Sequence, residues 1–283
     1  MDNKITVSAI VLTYNEELNI ANCLESLKDL IQEIYIIDSF SNDKTVEIAK
    51  RYTDKIYQHS FETHAKQWNW AFRNISYNCE WVMALDADQI IPEGLKSELR
   101  SLFNNPPADI NGYYIKRRQF FRGKWIIFGG YYPKYLLKLF KLEYAKCDEK
   151  ELVDHRFYIQ GKIGKLKNYI IEDNKNEDDI VFWLEKHIRF IKLKSRELIE
   201  YRKIRGQWLI KPSFWGSYDQ RTLWLKDTYY RMPLYVRPFV YFILRYFILL
   251  GFLDVYRGFL FHFLQAFWYR LILDVKIDEL RRK

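Results

Sequence analysis

Short apolar runs rich in β-branched residues alternate with amphipathic stretches along the first hundred residues. Residues 7–13, VSAIVLT, form a run suited to a buried parallel strand, and EELNIANCLESLKDL follows with Leu18, Cys23, Leu24, Leu27 and Leu30 at roughly helical spacing. EIYIIDS (33–39) predicts a second strand ending on Asp38, and NDKTVEIAKRY a capped helix. KIYQHSF predicts a third strand, AKQWNWAFRNI a helix and EWVMALDAD a fourth strand. Strands alternating with helices specify an α/β fold around a parallel sheet, whose ligands sit at the carboxyl ends of the strands. Polar residues gather at those predicted ends: Tyr14 and Asn15, Asp38 and Ser39, Asp86 and Asp88.

Beyond residue 105 the pattern changes to aromatic, strand-like runs broken by Gly and Pro. Residues 177–206 then read as one long amphipathic helix with Val181, Leu184, Ile188, Ile191 and Leu198 on its apolar face. After Pro233 the chain is dense in aromatic side chains: residues 231–283 hold fourteen of them, with nine Lys/Arg against four Asp/Glu. Arg237, Arg245, Asp254, Arg257 and Arg270 interrupt its apolar runs, so attachment to a lipid interface is expected rather than a full span. Packing of this tail as a core or oligomer contact is the competing expectation.

Length and composition narrow the picture further. With 283 residues, 49% apolar and 18% aromatic, the chain can bury one large core or a core with an appendage. The net charge of +9 suits nucleic acid, anionic lipid or a phosphorylated substrate. Cys23, Cys79 and Cys147 are scattered and odd in number, so no disulfide framework or zinc site is expected. The N-terminal residues lack the pattern of a cleaved leader, and a cytosol-facing protein is expected.

Asp86 and Asp88 end a hydrophobic strand one residue apart. Buried unpaired carboxylates are costly, whereas a hard cation such as Mg²⁺ or Mn²⁺ takes one or two carboxylates together with substrate phosphates. No GxGxxG follows the first strand and no GxxxxGK[ST] occurs anywhere, so a dinucleotide cradle and a P-loop are both excluded. A nucleoside diphosphate would then depend on a metal at Asp86 and Asp88.

VSAIVLTYNEELNIANCLESL, IIDSFSNDKTVEIAKRY, HAKQWNWAF and WVMALDADQIIPEGL, in this order, resemble the nucleotide-sugar domain of family 2 inverting glycosyltransferases of the GT-A fold. The stretches GYYIKRRQFFRGKWIIFGGYYPKYLLKLF and ELVDHRFYIQGKIGKLKNYIIEDN are similar to a bacterial branch related to lipopolysaccharide core glucosyltransferases. The resemblance implies a Rossmann-like mixed sheet flanked by helices. It places a catalytic domain at 1–230, with nucleotide-sugar binding in 1–105 and the acceptor side and amphipathic helix in 106–230. Membrane-interface helices then occupy 231–283.

Carried over by motif, Thr13, Tyr14, Asn15 and Glu16 frame the nucleotide, and Asp38 contacts the uracil or ribose. The glycine usual two places after that acid is Phe40 here. Gln67 and Asn69 line the nucleotide side, although the Lys common between them is Trp68. Asp86 lies near ribose and metal, and Asp88 is the direct ligand of Mn²⁺ or Mg²⁺. Gly129, Gly130, Tyr132 and Lys138 fall on the acceptor side, Lys138 facing a phosphate.

A catalytic base is expected in the segment that replaces the branch's VHE-like motif: Asp154 first, then His155, then Glu151. The partners implied are a nucleotide-sugar donor such as UDP-hexose, a lipid-linked or glycan acceptor, and the cytoplasmic leaflet of the plasma membrane. No nucleic acid is expected, and the oligomeric state stays open. A sugar-nucleotide pyrophosphorylase is disfavoured because LTYNEELN lacks a glycine-rich loop. A non-catalytic membrane or nucleic-acid binding protein would leave the aligned carboxylates unexplained.

Overall fold

The computed structural model describes residues 4–153, 155–203 and 210–282. They fall into two compact units, one of residues 1–127 and 131–183, the other of residues 128–130 and 184–283.

In the first unit, β1 (Ile5–Thr13), α1 (Ile20–Leu27), β2 (Ile31–Asp38), α2 (Thr45–Ala49), β3 (Ile56–Gln58), α3 (His64–Asn74) and β4 (Trp81–Asp86) alternate as expected. β1 is buried almost throughout, on both faces of the sheet, which explains its unbroken apolar sequence. It pairs in parallel with β2 on one side and β4 on the other, and β2 pairs with β3. These parallel registers bring Thr13 level with Asp38 and Leu12 level with Asp86. The polar strand ends therefore sit along one edge.

Beyond β4 come β5 (Gln89–Ile90), α4 (Glu93–Asn104), β6 (Ile110–Phe121), β7 (Lys124–Ile126) and β8 (Lys134–Lys141). β9 (Ala145–Cys147) and β10 (Phe157–Ile159) form a separate two-stranded ribbon, and β11 (Lys162–Glu172) rejoins the main sheet. β8 runs antiparallel to β4 and β6, which makes the nine-stranded sheet mixed, in the order β3-β2-β1-β4-β8-β6-β11-β5 with β7 on β6. This is the Rossmann-like mixed sheet that the resemblance implied. Leu24, Leu27, Val11, Met83, Leu95 and Leu139 are fully buried members of its core.

The second unit contains most of α5 (Ile180–Lys203), together with α6 (Tyr218–Arg231), α7 (Val236–Ile243), α8 (Val255–His262) and α9 (Tyr269–Arg281). The amphipathic helix thus groups with the C-terminal helices, whereas the sequence reading placed the boundary at 230/231. The cause is packing: Ile191 and Leu198 on α5 form one buried cluster with Leu273 and Ile277 on α9. The expected apolar stripe of α5 is corrected as well. Val181 and Ile188 are exposed, and the buried residues include Trp183, His187, Ile191, Lys194, Glu197 and Leu198. Lys194 fits there because Glu197, one turn on, pairs with it.

Arg237 and Asp274 make a buried ion pair in this unit, with Arg237 Nε 2.8 Å from Asp274 Oδ1. The other carboxylate oxygen accepts the backbone N–H of Tyr235 at 2.9 Å. Removing one partner of such a pair strands a buried charge at a cost of about 3–5 kcal/mol. Asp274→Ala is therefore expected to lower the unfolding free energy of this unit, read from urea titration, by an amount of that order. A change within about 0.5 kcal/mol, the range of an ordinary surface substitution, would contradict the pairing.

Candidate active site

The site is built at the carboxyl ends of β1, β2 and β4. Thr13 Oγ1 donates to Asp38 Oδ1 at 3.0 Å, and Ser41 donates to Asp38 through its backbone N–H at 2.9 Å and its hydroxyl at 2.5 Å. Asp38 is fully buried, and these donors compensate its desolvation. Asn15 turns the chain after β1 with φ +53°; its N–H donates to Ser41 and its side chain accepts the N–H of Asn42. Glu16 follows, its N–H held by Thr45 at 2.7 Å. Tyr14 is half-exposed at the mouth of this loop.

Phe40 occupies the position where a glycine is usual, and its φ of +59° is the left-handed conformation that glycine adopts without strain. The turn keeps its shape with a costlier residue, and the Phe40 ring stands exposed beside Asp38. An exposed apolar ring on a strained turn is a platform on which a flat base could stack.

Gln67 and Asn69 point to different neighbours. Gln67 is buried and donates to Ser39 Oγ and to the carbonyl of His59, both at 3.2 Å, tying α3 to the ends of β2 and β3. Asn69 instead brackets Cys147, donating to its carbonyl at 3.1 Å and accepting its N–H at 3.0 Å, and donates to Glu149 at 2.8 Å. Positions two apart on a helix are separated by about 200° of rotation, so Gln67 and Asn69 point apart, and Asn69 pins the β9 ribbon. Trp68 between them is fully buried against Phe157.

Asp86 ends β4 and receives Lys138 Nζ at 2.9 Å from the neighbouring strand β8. Lys138 itself is buried. Burial alone would raise the Asp86 pKa, but the Lys138 ammonium, aided by His155 and His64, outweighs it and holds the carboxyl well below the usual range. Lys138, expected to face an acceptor phosphate, is thus found on Asp86. Asp88 lies in the turn after β4, where its Oδ2 accepts Asn174 Nδ2 at 3.1 Å. Asn174 in turn accepts from Asn19 at 3.1 Å, which bridges the α1 start to the β4 end. Cys23 sits beneath these acids; burial first, then the charges of Asp88, Asp86 and Glu16, push its thiol far up.

His155 stacks on His64 with ring centroids 5.3 Å apart and meets Phe157 edge-on at the same distance. Both imidazoles lie close enough to act on Asp86. Glu151 accepts from the Tyr158 hydroxyl at 3.0 Å. Asp154, the first-ranked base, lies outside the described residues.

Gly129 and Gly130 belong to the second unit. A Cβ on Gly129 would lie 2.0 Å from His262 Cε1, and one on Gly130 would lie 2.9 Å from Arg245 Nη1. The close approach these glycines permit is therefore made by the protein's own helices. Tyr132 meets Trp125 edge-on at 5.1 Å, beside Arg118.

His64, Asn19 and Asn174 carry no motif of their own. The one legible signal among them is the His64/Trp68 spacing of four, which puts both on one face of α3.

Among the described residues no three His, Cys, Asp or Glu side chains converge into a set able to hold a metal by themselves. The donor chemistry still fits a hard divalent ion, because such ions commonly take one or two carboxylates and complete their shell from water and phosphate oxygens. Lys138 holds Oδ2 of Asp86, which leaves Asp88 as the leading candidate ligand.

A mixed α/β sheet with acids grouped at its parallel strand ends is an architecture whose ligands bind at those ends. The description "Glycosyl transferase family 2" matches residues 8–162, more than half of the chain, and the chain belongs to that family. It is 30% identical over 118 residues to an uncharacterized glycosyltransferase of Rickettsia typhi, covering 41% of this chain and 40% of that protein. Identity to a lipopolysaccharide core biosynthesis glycosyltransferase of Rhizobium meliloti is 26% over 174 residues, covering 58% of this chain and 61% of the relative. The matches thus span 40% and 61% of these relatives, in each case less than two thirds. Glucosyl-3-phosphoglycerate synthase of Mycobacterium tuberculosis, solved with Mn²⁺ and uridine diphosphate, aligns with a TM-score of 0.32 at 20% identity over 42% of this chain and 45% of that one.

The Lys138–Asp86 pair makes a signed prediction. With its pKa depressed below about 3.9, Asp86 contributes stability that is present above that pH and lost as the pH falls through the native value. In Lys138→Met the largest counter-charge to Asp86 is gone and its pKa moves up, so the variant loses part of the stability that ionised Asp86 contributes above about pH 4. The melting-temperature gap between wild type and variant is expected to widen from about pH 4 to pH 7. A gap independent of pH would contradict the pairing.

Proposed function

We propose that this family 2 glycosyltransferase is an inverting, metal-dependent enzyme that moves a hexose from a UDP-linked donor to a membrane-associated glycolipid or cell-surface glycan precursor. The observation that carries the reading is the alignment of Thr13–Asp38, Asp86 and Asp88 at adjacent parallel strand ends inside the matched region 8–162. Asp38 and the loop of Asn15 and Glu16 take the nucleoside, with Tyr14 and Phe40 at its open side. Asp88, and Asp86 beside it, would hold Mn²⁺ or Mg²⁺, which when bound neutralises charge on the departing diphosphate.

The reaction is a single displacement. The acceptor hydroxyl oxygen attacks the anomeric carbon as the carbon–oxygen bond to the diphosphate breaks, and the hydroxyl proton passes to a base. Asp154 and His155 are the proposed bases. His155 has support of its own in lying close to Asp86, held in a ring stack that fixes its plane. Lys138 keeps Asp86 ionised, so the carboxylate is ready for a cation at neutral pH.

The lipopolysaccharide core relative supports a glycolipid acceptor, and the aromatic, basic C-terminal residues support a place at the cytoplasmic face of the plasma membrane. The non-catalytic alternative gains no specific observation.

The test is nucleotide release from a panel of sugar nucleotides with Mn²⁺ or Mg²⁺, with EDTA and Asp88→Ala as controls. Release from one donor, reduced at least about a hundredfold in both controls, is expected, a loss typical of removing a group that stabilises developing charge. Undiminished release with EDTA or with Asp88→Ala would remove the metal assignment. Failure to bind any nucleotide sugar would remove the transferase reading.

A further inference from the structure

The charges that interrupt the C-terminal apolar runs in sequence are turned inward in the fold. Arg237 is buried on Asp274. Asp254 is buried and accepts the N–H of Phe128 at 2.9 Å. Arg245 donates to the carbonyl of Gly129 and to the Tyr241 hydroxyl at 2.6 Å, and Arg270 lies over the Tyr241 ring at 4.0 Å. Of the side chains exposed between Val236 and Phe263, Arg257 alone is charged. The rest are apolar or aromatic, and several are largely bare: Ile248 is 67% exposed, Val255 66% and Tyr256 72%.

The shape of this surface selects its partner. Among the described residues no single helix is long and apolar enough to cross a membrane, but Val236–Ile248 and Gly251–Arg281 pass that test together, bent by 70° at the break between them. The break is made at Leu250, with φ +59°, and Val255 also has a left-handed φ. The first arm is about 20 Å long at 1.5 Å per residue, too short for a hydrocarbon core of about 30 Å.

At the bend, Phe247, Ile248, Leu249 and Leu250 are all exposed in succession. Phe247 and Ile248 close the first arm and Leu249 and Leu250 form the break itself, so apolar side chains cover the tip of the hairpin as well as the arms behind it. A flat protein partner or a second copy covers one helix face, whereas an apolar tip calls for an apolar medium that surrounds it.

We propose that residues 236–263 form a re-entrant hairpin sunk into one leaflet of a lipid bilayer, with the bend deepest and the inward-turned charges kept from the hydrocarbon. This deepens the membrane part of the reading above: attachment is by immersion of apolar side chains, not by cations resting on anionic headgroups. Binding therefore needs no anionic lipid and survives high salt.

The experiment is flotation of the full chain with vesicles of phosphatidylcholine alone or mixed with phosphatidylglycerol, followed by a wash in about 1 M NaCl, where the Debye length is only about 3 Å. Wild type is expected to float with both and to resist the wash. Ile248→Glu/Tyr256→Glu is expected to reduce the floating fraction at least about tenfold, since a charge at depth is costly. Nucleotide binding by the same variant checks its fold.

Wild type left at the bottom of the gradient, release by salt, flotation only with anionic vesicles, or full flotation of a nucleotide-binding variant would each overturn the proposal. So would a lipid-free dimer that does not float. Flotation without nucleotide release from any donor would leave the hairpin standing and count against the transferase reading alone. Release without flotation would do the reverse.

Discussion

Three acids, Glu16, Asp86 and Asp88, crowd the space above Cys23, and the first unit is arranged around meeting them with donors and a cation. Carboxylates at the end of a buried strand are tolerated only when donors or cations meet them. Lys138 reaches across from β8 to Asp86, and Asn174 reaches from beyond β11 to Asp88. Both compensating groups come from the part of the chain that turns a parallel sheet into a mixed one. The antiparallel return of β8 beside β4 is what puts an ammonium at the strand end.

That arrangement links fold to chemistry. A carboxylate held ionised by one buried lysine is available to a cation at neutral pH without titrating first. Among the described residues the acids do not form a closed metal cage, so on the proposed reading the phosphates of a nucleoside diphosphate, with water, would complete an ion's shell. Asp38 is a different kind of acid: Thr13 and Ser41 satisfy it locally, and it shapes the loop after β2.

The alternation of β1 through β4 was legible because β1, β2 and β4 are apolar runs largely buried on both faces, and the turn residues fall where parallel strands end. The acids were legible for the same reason: an aspartate closing such a run has no ordinary structural motive. Contacts far apart in the chain were not. Nothing near Lys138 in sequence marks it as the partner of a residue 52 positions earlier, and Asn174 is 86 positions from Asp88.

The bond of Asn69 to Cys147, 78 positions on, was equally unmarked, and Val181 and Ile188 were misplaced because an apolar stripe can be drawn along more than one face of α5. The charges of the C-terminal segment misled in the opposite direction. Arg237, Arg245 and Asp254 read as interruptions of an apolar surface, whereas the fold folds them away and leaves the surface apolar.

The measurement that bears most directly on the account is Mn²⁺ binding to the whole protein, followed by the electron paramagnetic resonance signal of the free ion, with and without UDP. If two carboxylates need a diphosphate to complete the shell, Mn²⁺ binds weakly alone and at least about tenfold more tightly with UDP present, the smallest coupling of about 1.4 kcal/mol that such linkage would show. Equal affinity with and without UDP would contradict it: the strand-end acids would not then be the place where donor and metal meet.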